Sequence, residues 1–155
     1  MAKQPARMDP HANDIWNPWA ALALSIIFTP AFGAILHETD LRHIGDEEGA
    51  ASAYMWSRGA MALLAVAAII QPVAAVRPGW ELTLLAVDMG LLAAWALSCG
   101  FRHARLIAEV QRESRKFIAV PFGRAITLGL LGLMAWAVLF HIAKSLWTLS
   151  GFLPA

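Results

Sequence analysis

Four long, nearly uncharged runs of apolar residues dominate this chain of 155 residues. They lie at about 15–36, 59–76, 80–101 and 125–149. A helix of about 20 apolar residues crosses the roughly 30 Å hydrocarbon core of a bilayer. Four buried helices of a soluble protein are the alternative, but 59% of the residues are hydrophobic and 15% charged, which leaves too little polar surface to cover them. The sequence therefore predicts an all-α integral membrane four-helix bundle, with a polar tail at 1–14 and a single membrane domain at 15–155.

The first run is the least regular, because Pro30 lies inside it. Proline removes a backbone donor and clashes with the preceding turn, so we expect the first helix to be kinked or broken near this residue. A cleaved signal peptide is an alternative for this run, since small residues follow a short apolar stretch at Ala31-Phe32-Gly33. Asp9 and Asp14 oppose it, because signal peptides begin with a positively charged region.

The charged stretch that follows the third run has the spacing of a helix. Arg105 and Glu109 are four residues apart, and Glu113 and Lys116 are three apart, so each pair can meet on a helical surface. The third helix is therefore predicted to extend beyond the membrane into the cytoplasm.

Charged residues concentrate in two predicted loops, at 37–58 and 102–124. Together these loops hold eight of the twelve Lys and Arg residues. The positive-inside rule then places both loops in the cytoplasm and both termini outside.

The two loops carry opposite charge, with five acidic and two basic residues at 37–58 and two acidic and six basic residues at 102–124. Two independent solvated loops are one interpretation. The other is that the loops dock through ion pairs between acidic residues of the first and basic residues of the second. The residues predicted to pair are Asp46 and Glu47 with Arg112 and Arg115.

Small residues recur at every fourth position of the third run. They are Ala86, Gly90, Ala94 and Ser98. Such a stripe lets two membrane helices approach closely, so it predicts a packing seam, either inside the bundle or between protomers.

Polar residues inside the runs are costly in lipid and usually have partners. Asp88 lies within the third run, and three further polar residues lie at a comparable distance from the same end of the predicted bundle. They are Gln71, His141 and Lys144. We expect these four residues to form an intramembrane polar cluster, serving either as a structural ion pair or as a proton relay.

Metal and catalytic signatures are weak. His37, Asp40 and His43 are spaced by three, which can place metal ligands on one helical face, but the spacing fits no standard zinc motif. A solvated acidic loop is the simpler interpretation. The chain has no Gly-rich phosphate loop and no Gly-x-Ser-x-Gly nucleophile elbow. We therefore predict no cofactor, no enzyme activity and, at a net charge of +1, no nucleic-acid partner.

One segment resembles small bacterial multi-spanning membrane proteins of unassigned function. The residues that carry the likeness are Asn17-Pro18, Ser25, Phe28-Thr29-Pro30-Ala31-Phe32-Gly33-Ala34, His37, Leu41-Arg42 and Gly45. The resemblance implies a bacterial inner membrane, and it implies no activity and no site residues.

Two classes of function remain open. The first is a non-catalytic interaction protein, either an accessory subunit of a membrane complex or an immunity protein against a membrane-acting toxin. Its partners are the lipid bilayer and a membrane protein or further copies of itself. The alternative is a small transporter, channel or proton-coupled protein that uses Asp88 and His141.

Overall fold

The computed structural model describes residues 14–113 and 118–153 and is almost entirely helical. The helices are α1 (Pro18–Ile27), α2 (Pro30–Ile44), α3 (Glu47–Ala74), α4 (Trp80–Trp95), α5 (Phe101–Glu113) and α6 (Phe122–Leu149), with a π-helical segment at Ala96–Gly100 between α4 and α5. Two short strands, β1 (Asp14–Ile15) and β2 (Ile118–Ala119), pair in parallel. The predicted all-α class is confirmed. Of the predicted polar tail, Asp14 alone falls within the described residues.

Three helical stretches are long and apolar enough to cross a membrane: Glu47–Ala74, Leu82–Glu113 and Phe122–Leu149. At 1.5 Å per residue, helices of 28, 32 and 28 residues are each longer than the roughly 30 Å thickness of the hydrocarbon core. This fits a membrane protein. The stretch Leu82–Glu113 continues from α4 through the π segment into α5, as the spacing of its charges indicated.

The first predicted span differs, because residues 15–36 fall in two helices rather than one. The 10 residues of α1 and the 15 residues of α2 are each shorter than a bilayer-spanning helix. Phe28 and Thr29 separate them. The described chain therefore has three helices of spanning length, where four were expected.

The reason lies in two helix-start signals, Asn17-Pro18 and Thr29-Pro30. The Asn17 side chain accepts hydrogen bonds from the backbone N–H groups of Trp19 and Ala20, each at 3.1 Å. The Thr29 hydroxyl accepts one from Phe32 at 3.3 Å. In each case proline occupies the first helical turn, where its missing N–H has no partner to lose. Pro30 thus begins a helix.

Helices α1 and α2 form an antiparallel hairpin. The Trp16 N–H donates to the Asp40 carboxyl at 2.9 Å, near the open end of this hairpin. Further in, Gly33 lies directly against Ser25. The two ends of the hairpin therefore lie on the same side of the molecule, and its tip is at Phe28 and Thr29. We call this unit, residues 16–44, the N-terminal hairpin.

The segment 37–58, expected as a loop, is helical except for a turn at Gly45 and Asp46. Gly45 adopts φ +83°, which closes the end of α2 at no steric cost. The Asp46 side chain then accepts the Gly49 N–H at 3.0 Å and caps α3. Small buried residues, Ala50 and Ala53 among them, let α2 pack closely along the first half of α3.

Helix α3 is the central element, since α2, α4 and α6 all pack against it. Near the start of α6, Gly129 lies against the Phe28 ring at the hairpin tip. Towards the end of α6, the Trp147 indole N–H donates to the Ile69 carbonyl of α3 at 2.7 Å. The N-terminal hairpin therefore covers one end of the three long helices, which we call the hairpin end. The turn between α3 and α4 and the end of α6 lie at the far end.

Candidate functional site

The interior of the hairpin end contains three titratable side chains. His37 and Asp40 come from α2 and His103 from α5, and each is at most 1% exposed. The rings of the two histidines meet edge to face, with 6.1 Å between their centroids. We call these three residues the His–Asp cluster. Buried ionisable groups of this kind are common at functional sites.

The π-helical segment explains why His103 reaches this interior. Trp95, which is fully buried and packs 5.7 Å from the His37 ring centroid, precedes His103 by eight residues. Eight residues of a regular α-helix make about 2.2 turns, which would point the two side chains in different directions. The π turn at Ala96–Gly100 accommodates one extra residue, so the spacing behaves like seven residues, or about 1.9 turns. Both side chains then face the N-terminal hairpin.

Two hydrogen bonds connect the cluster to the chain that leads into α1. One Asp40 oxygen accepts the Trp16 N–H at 2.9 Å, and His37 Nε2 lies 3.4 Å from the Pro18 carbonyl oxygen. The second bond requires the proton of the neutral imidazole to be on Nε2, because a carbonyl oxygen can only accept.

Several other polar atoms of this region have no hydrogen-bond partner among the described residues. They are His37 Nδ1, Asp40 Oδ2, Trp95 Nε1 and both ring nitrogens of His103. Most buried polar atoms in folded proteins are hydrogen-bonded. Unpaired atoms grouped in this way therefore distinguish the region from an ordinary packing core.

Burial sets the charge states of His37 and Asp40, the two residues of the cluster that lie on α2. Burial lowers the pKa of His37 to about 4; its Pro18 hydrogen bond opposes the shift, and His103 adds to it. Burial also raises the pKa of Asp40 to about 8, against the opposing effect of the Trp16 hydrogen bond. Near neutral pH both groups are therefore uncharged, as expected where no counter-ion compensates for lost hydration.

The weak metal motif is divided by the fold. His37 and Asp40 are buried in the cluster, whereas the His43 side chain is exposed. In the part of the chain that the structure describes, no three His, Cys, Asp or Glu side chains are arranged to bind a metal ion.

The four residues of the predicted intramembrane cluster come from three helices. Asp88 and Gln71 are half-buried on α4 and α3, while His141 and Lys144 are exposed on α6. Within residues 14–113 and 118–153, no hydrogen bond or ion pair joins any two of these four side chains.

The small-residue stripe lies on the outer face of α4 and of the π-helical segment that follows it, to which Ser98 belongs. Ala86, Gly90, Ala94 and Ser98 are all exposed. A methyl group added at Gly90 would meet no atom within 4 Å. The stripe therefore does not pack against another described helix of this chain.

The oppositely charged segments are close, but within the described residues Asp46 and Glu47 form no ion pair with Arg112. Helix α5 packs against α1 and α2. Glu47 lies 3.5 Å from Arg42, within its own segment, and Asp46 caps α3. Neither acidic residue pairs with Arg112 among the described contacts, and Arg115 falls outside the described residues.

Sequence reasoning identified His37 and Asp40 in another role and missed His103 and Trp95. Positions 37 and 103 are far apart in the sequence, so no local pattern of residues indicated that the two histidines meet. The nearest available signal was the run of three small residues Ser98-Cys99-Gly100, which coincides with the π turn.

Comparison with known proteins finds no matching family model, no matching curated protein and no matching solved structure.

Proposed function

We propose that this chain is a non-catalytic interaction protein of the bacterial inner membrane, either an accessory subunit of a membrane complex or an immunity protein against a membrane-acting toxin. The outward-facing stripe on α4 supports this proposal most directly. Small residues at every fourth position allow helix backbones to approach closely, which is the main source of helix association in lipid. Here that surface is available to a helix of another protein or of a second copy.

The location of basic residues supports a definite orientation. Arg42, Arg102, Arg105, Arg112 and Arg124 lie at or near the hairpin end, and Arg77 and Lys144 lie towards the far end. By the positive-inside rule, the hairpin end faces the cytoplasm. With three spans, the chain then enters α3 from the cytoplasm and ends outside. This differs from the four-span expectation, which put both termini outside.

Reporter fusions test the orientation. Alkaline phosphatase, which folds only outside the cytoplasm, should be active when fused after Phe152 and inactive when fused after Gly45. The reverse pattern, or equal activity of both fusions, would contradict the proposed orientation.

The interaction function is tested by changing the stripe while preserving the monomer. Gly90→Leu places a bulky side chain on the stripe, where the structure leaves open space. Gly132→Leu on α6 is the matched control, because a side chain there also meets no atom within 4 Å. We expect a stoichiometric membrane partner to co-purify in mild detergent with the wild type and the control, and to be lost from the Gly90→Leu protein.

Two results would contradict the proposal. One is equal recovery of the partner by both variants. The other is a lone homo-oligomer that moves ions across liposome membranes, which would favour the transport alternative. That alternative stands second because Asp88 and His141 share no hydrogen bond or ion pair among the described residues.

A further inference from the structure

The His–Asp cluster lies where three separate stretches of the chain meet. Asp40 and His37 project from α2 to the backbone of Trp16 and Pro18, and His103 approaches from α5. Any change in the charge of this cluster therefore acts on the contact between the N-terminal hairpin and α5.

The unpaired atoms of this region suit a protonated Asp40. A neutral carboxyl supplies a donor at Asp40 Oδ2, and the acceptors without partners are His37 Nδ1 and one ring nitrogen of His103. Among the described residues the Trp16 N–H is the one donor that reaches Asp40, so an ionised Asp40 would keep its second oxygen buried without a hydrogen bond.

Within residues 14–113 and 118–153, no basic side chain forms an ion pair with Asp40. Arg42, two residues away, is on the outer surface and pairs with Glu38 and Glu47. Of the described charged side chains on other elements, Arg102 and Asp46 act on the cluster, and both act on His103. An unpaired buried carboxylate is strongly unfavourable, so ionisation should open the site to water.

We propose that the His–Asp cluster is a protonation-controlled latch, which keeps the N-terminal hairpin docked on α4 and α5 while Asp40 carries its proton and releases it when that proton is lost. Burial raises the pKa of Asp40 to about 8. The latch therefore opens as the pH rises from neutral to mildly alkaline.

Cys99 provides a probe for this opening. It is the single cysteine of the chain, it is 2% exposed, and it packs against Ala34 of the hairpin and Trp95. A small maleimide reaches its thiol only when the hairpin separates from this surface. The full chain in nanodiscs would be labelled with N-ethylmaleimide between pH 6 and 9. Dividing each rate by that of the same chain unfolded at the same pH removes the effect of thiol ionisation.

For the wild type, we expect the normalised labelling rate to rise about tenfold between pH 7 and pH 9, following the ionised fraction of Asp40. Asp40→Asn cannot ionise, so its rate should stay constant over this range. Glu38→Gln removes a carboxylate from the outside of the same helix and is the matched control, which should retain the wild-type rise.

The proposal fails if wild-type labelling does not change with pH, or if Asp40→Asn shows the same rise as the wild type. The wild-type series decides the question by itself if the Asp40→Asn protein does not fold.

Discussion

Gly33 lies at the tightest contact inside the N-terminal hairpin, and its replacement by alanine should weaken the fold. An added Cβ would overlap the Ser25 side chain of α1 and come within 2.7 Å of the Trp95 ring of α4. Neither neighbour has space to move, because Ser25 is 1% exposed and Trp95 is fully buried. The Ser25 hydroxyl also donates to the Ala21 carbonyl at 2.7 Å, a bond that displacement would disturb.

The size of the effect follows from opposing terms. Replacing glycine by alanine in a helix usually stabilises it by about 0.5–1 kcal/mol. Overpacking a closely packed interior destabilises by about 1–3 kcal/mol, and a disturbed buried hydrogen bond adds about 1 kcal/mol. The Gly33→Ala protein should therefore lose about 1–3 kcal/mol in its free energy of unfolding.

Reversible unfolding in mixed detergent micelles, followed by circular dichroism, measures this loss. Gly132→Ala is the control, because an added Cβ there meets no atom within 4 Å. It should be neutral or stabilising by up to about 1 kcal/mol. If the two variants unfold at the same denaturant concentration, the close contact of α1, α2 and α4 at Gly33 is refuted.

Three further predictions concern pH, a cap and a hydrogen bond. The pKa of Asp40 is higher in the folded chain than in the unfolded chain. Its contribution to the free energy of unfolding is therefore complete below its ordinary pKa of 3.8 and is lost as the pH rises to about 8. The pKa of His37 is shifted in the opposite direction, so its contribution to the free energy of unfolding is complete above pH 6.5 and is lost as the pH falls to about 4. Between about pH 4 and 6.5 the two pH dependences cancel. From pH 6.5 to 8 only that of Asp40 remains, so unfolding titrations should show the free energy of unfolding falling by about 1.4 kcal/mol per pH unit. The Asp40→Asn protein should not show this loss. Asp46→Ala should lower the free energy of unfolding by about 0.5–2 kcal/mol through loss of the α3 cap, and Asp46→Asn should restore most of it. Trp147→Phe should lower it by about 0.5–1.5 kcal/mol in the same assay, because its indole N–H no longer bonds to α3; an unchanged value would exclude a stabilising role for that bond.

The long apolar helices could be predicted because hydrophobicity over about 20 residues is a local property of the sequence. The break in the first run was predictable at Pro30 for the same reason. The division of this run into two helices could also have been predicted, since Asn17-Pro18 and Thr29-Pro30 each place a capping side chain before a proline at the start of a helix. Interpreting Pro30 only as an interruption concealed the second helix that begins there.

The His–Asp cluster could not be predicted, because it depends on contacts between distant parts of the chain. His37 and Asp40 lie on the side of α2 that faces the interior only because α2 turns back against α1. His103 joins them only because a π turn changes the direction of its helix. Hydrophobic periodicity contains neither kind of information. For the same reason the acidic segment 37–58 was predicted to be a loop, although small residues such as Ala50 and Ala53 form a helix contact there.

The pairing of Asp14 with Ile118 has a consequence for the order in which the protein assembles. Ile107, which packs against Ile15, and the strand that pairs with Ile15 are made about 100 residues after it. At the usual rate of about 5–20 residues per second, this delay is on the order of 5–20 s. The N-terminal hairpin must therefore remain in or near the membrane in an incomplete form until α5 and the following strand arrive. Its docking is completed only after α5 and β2 are made, although its own residues precede both.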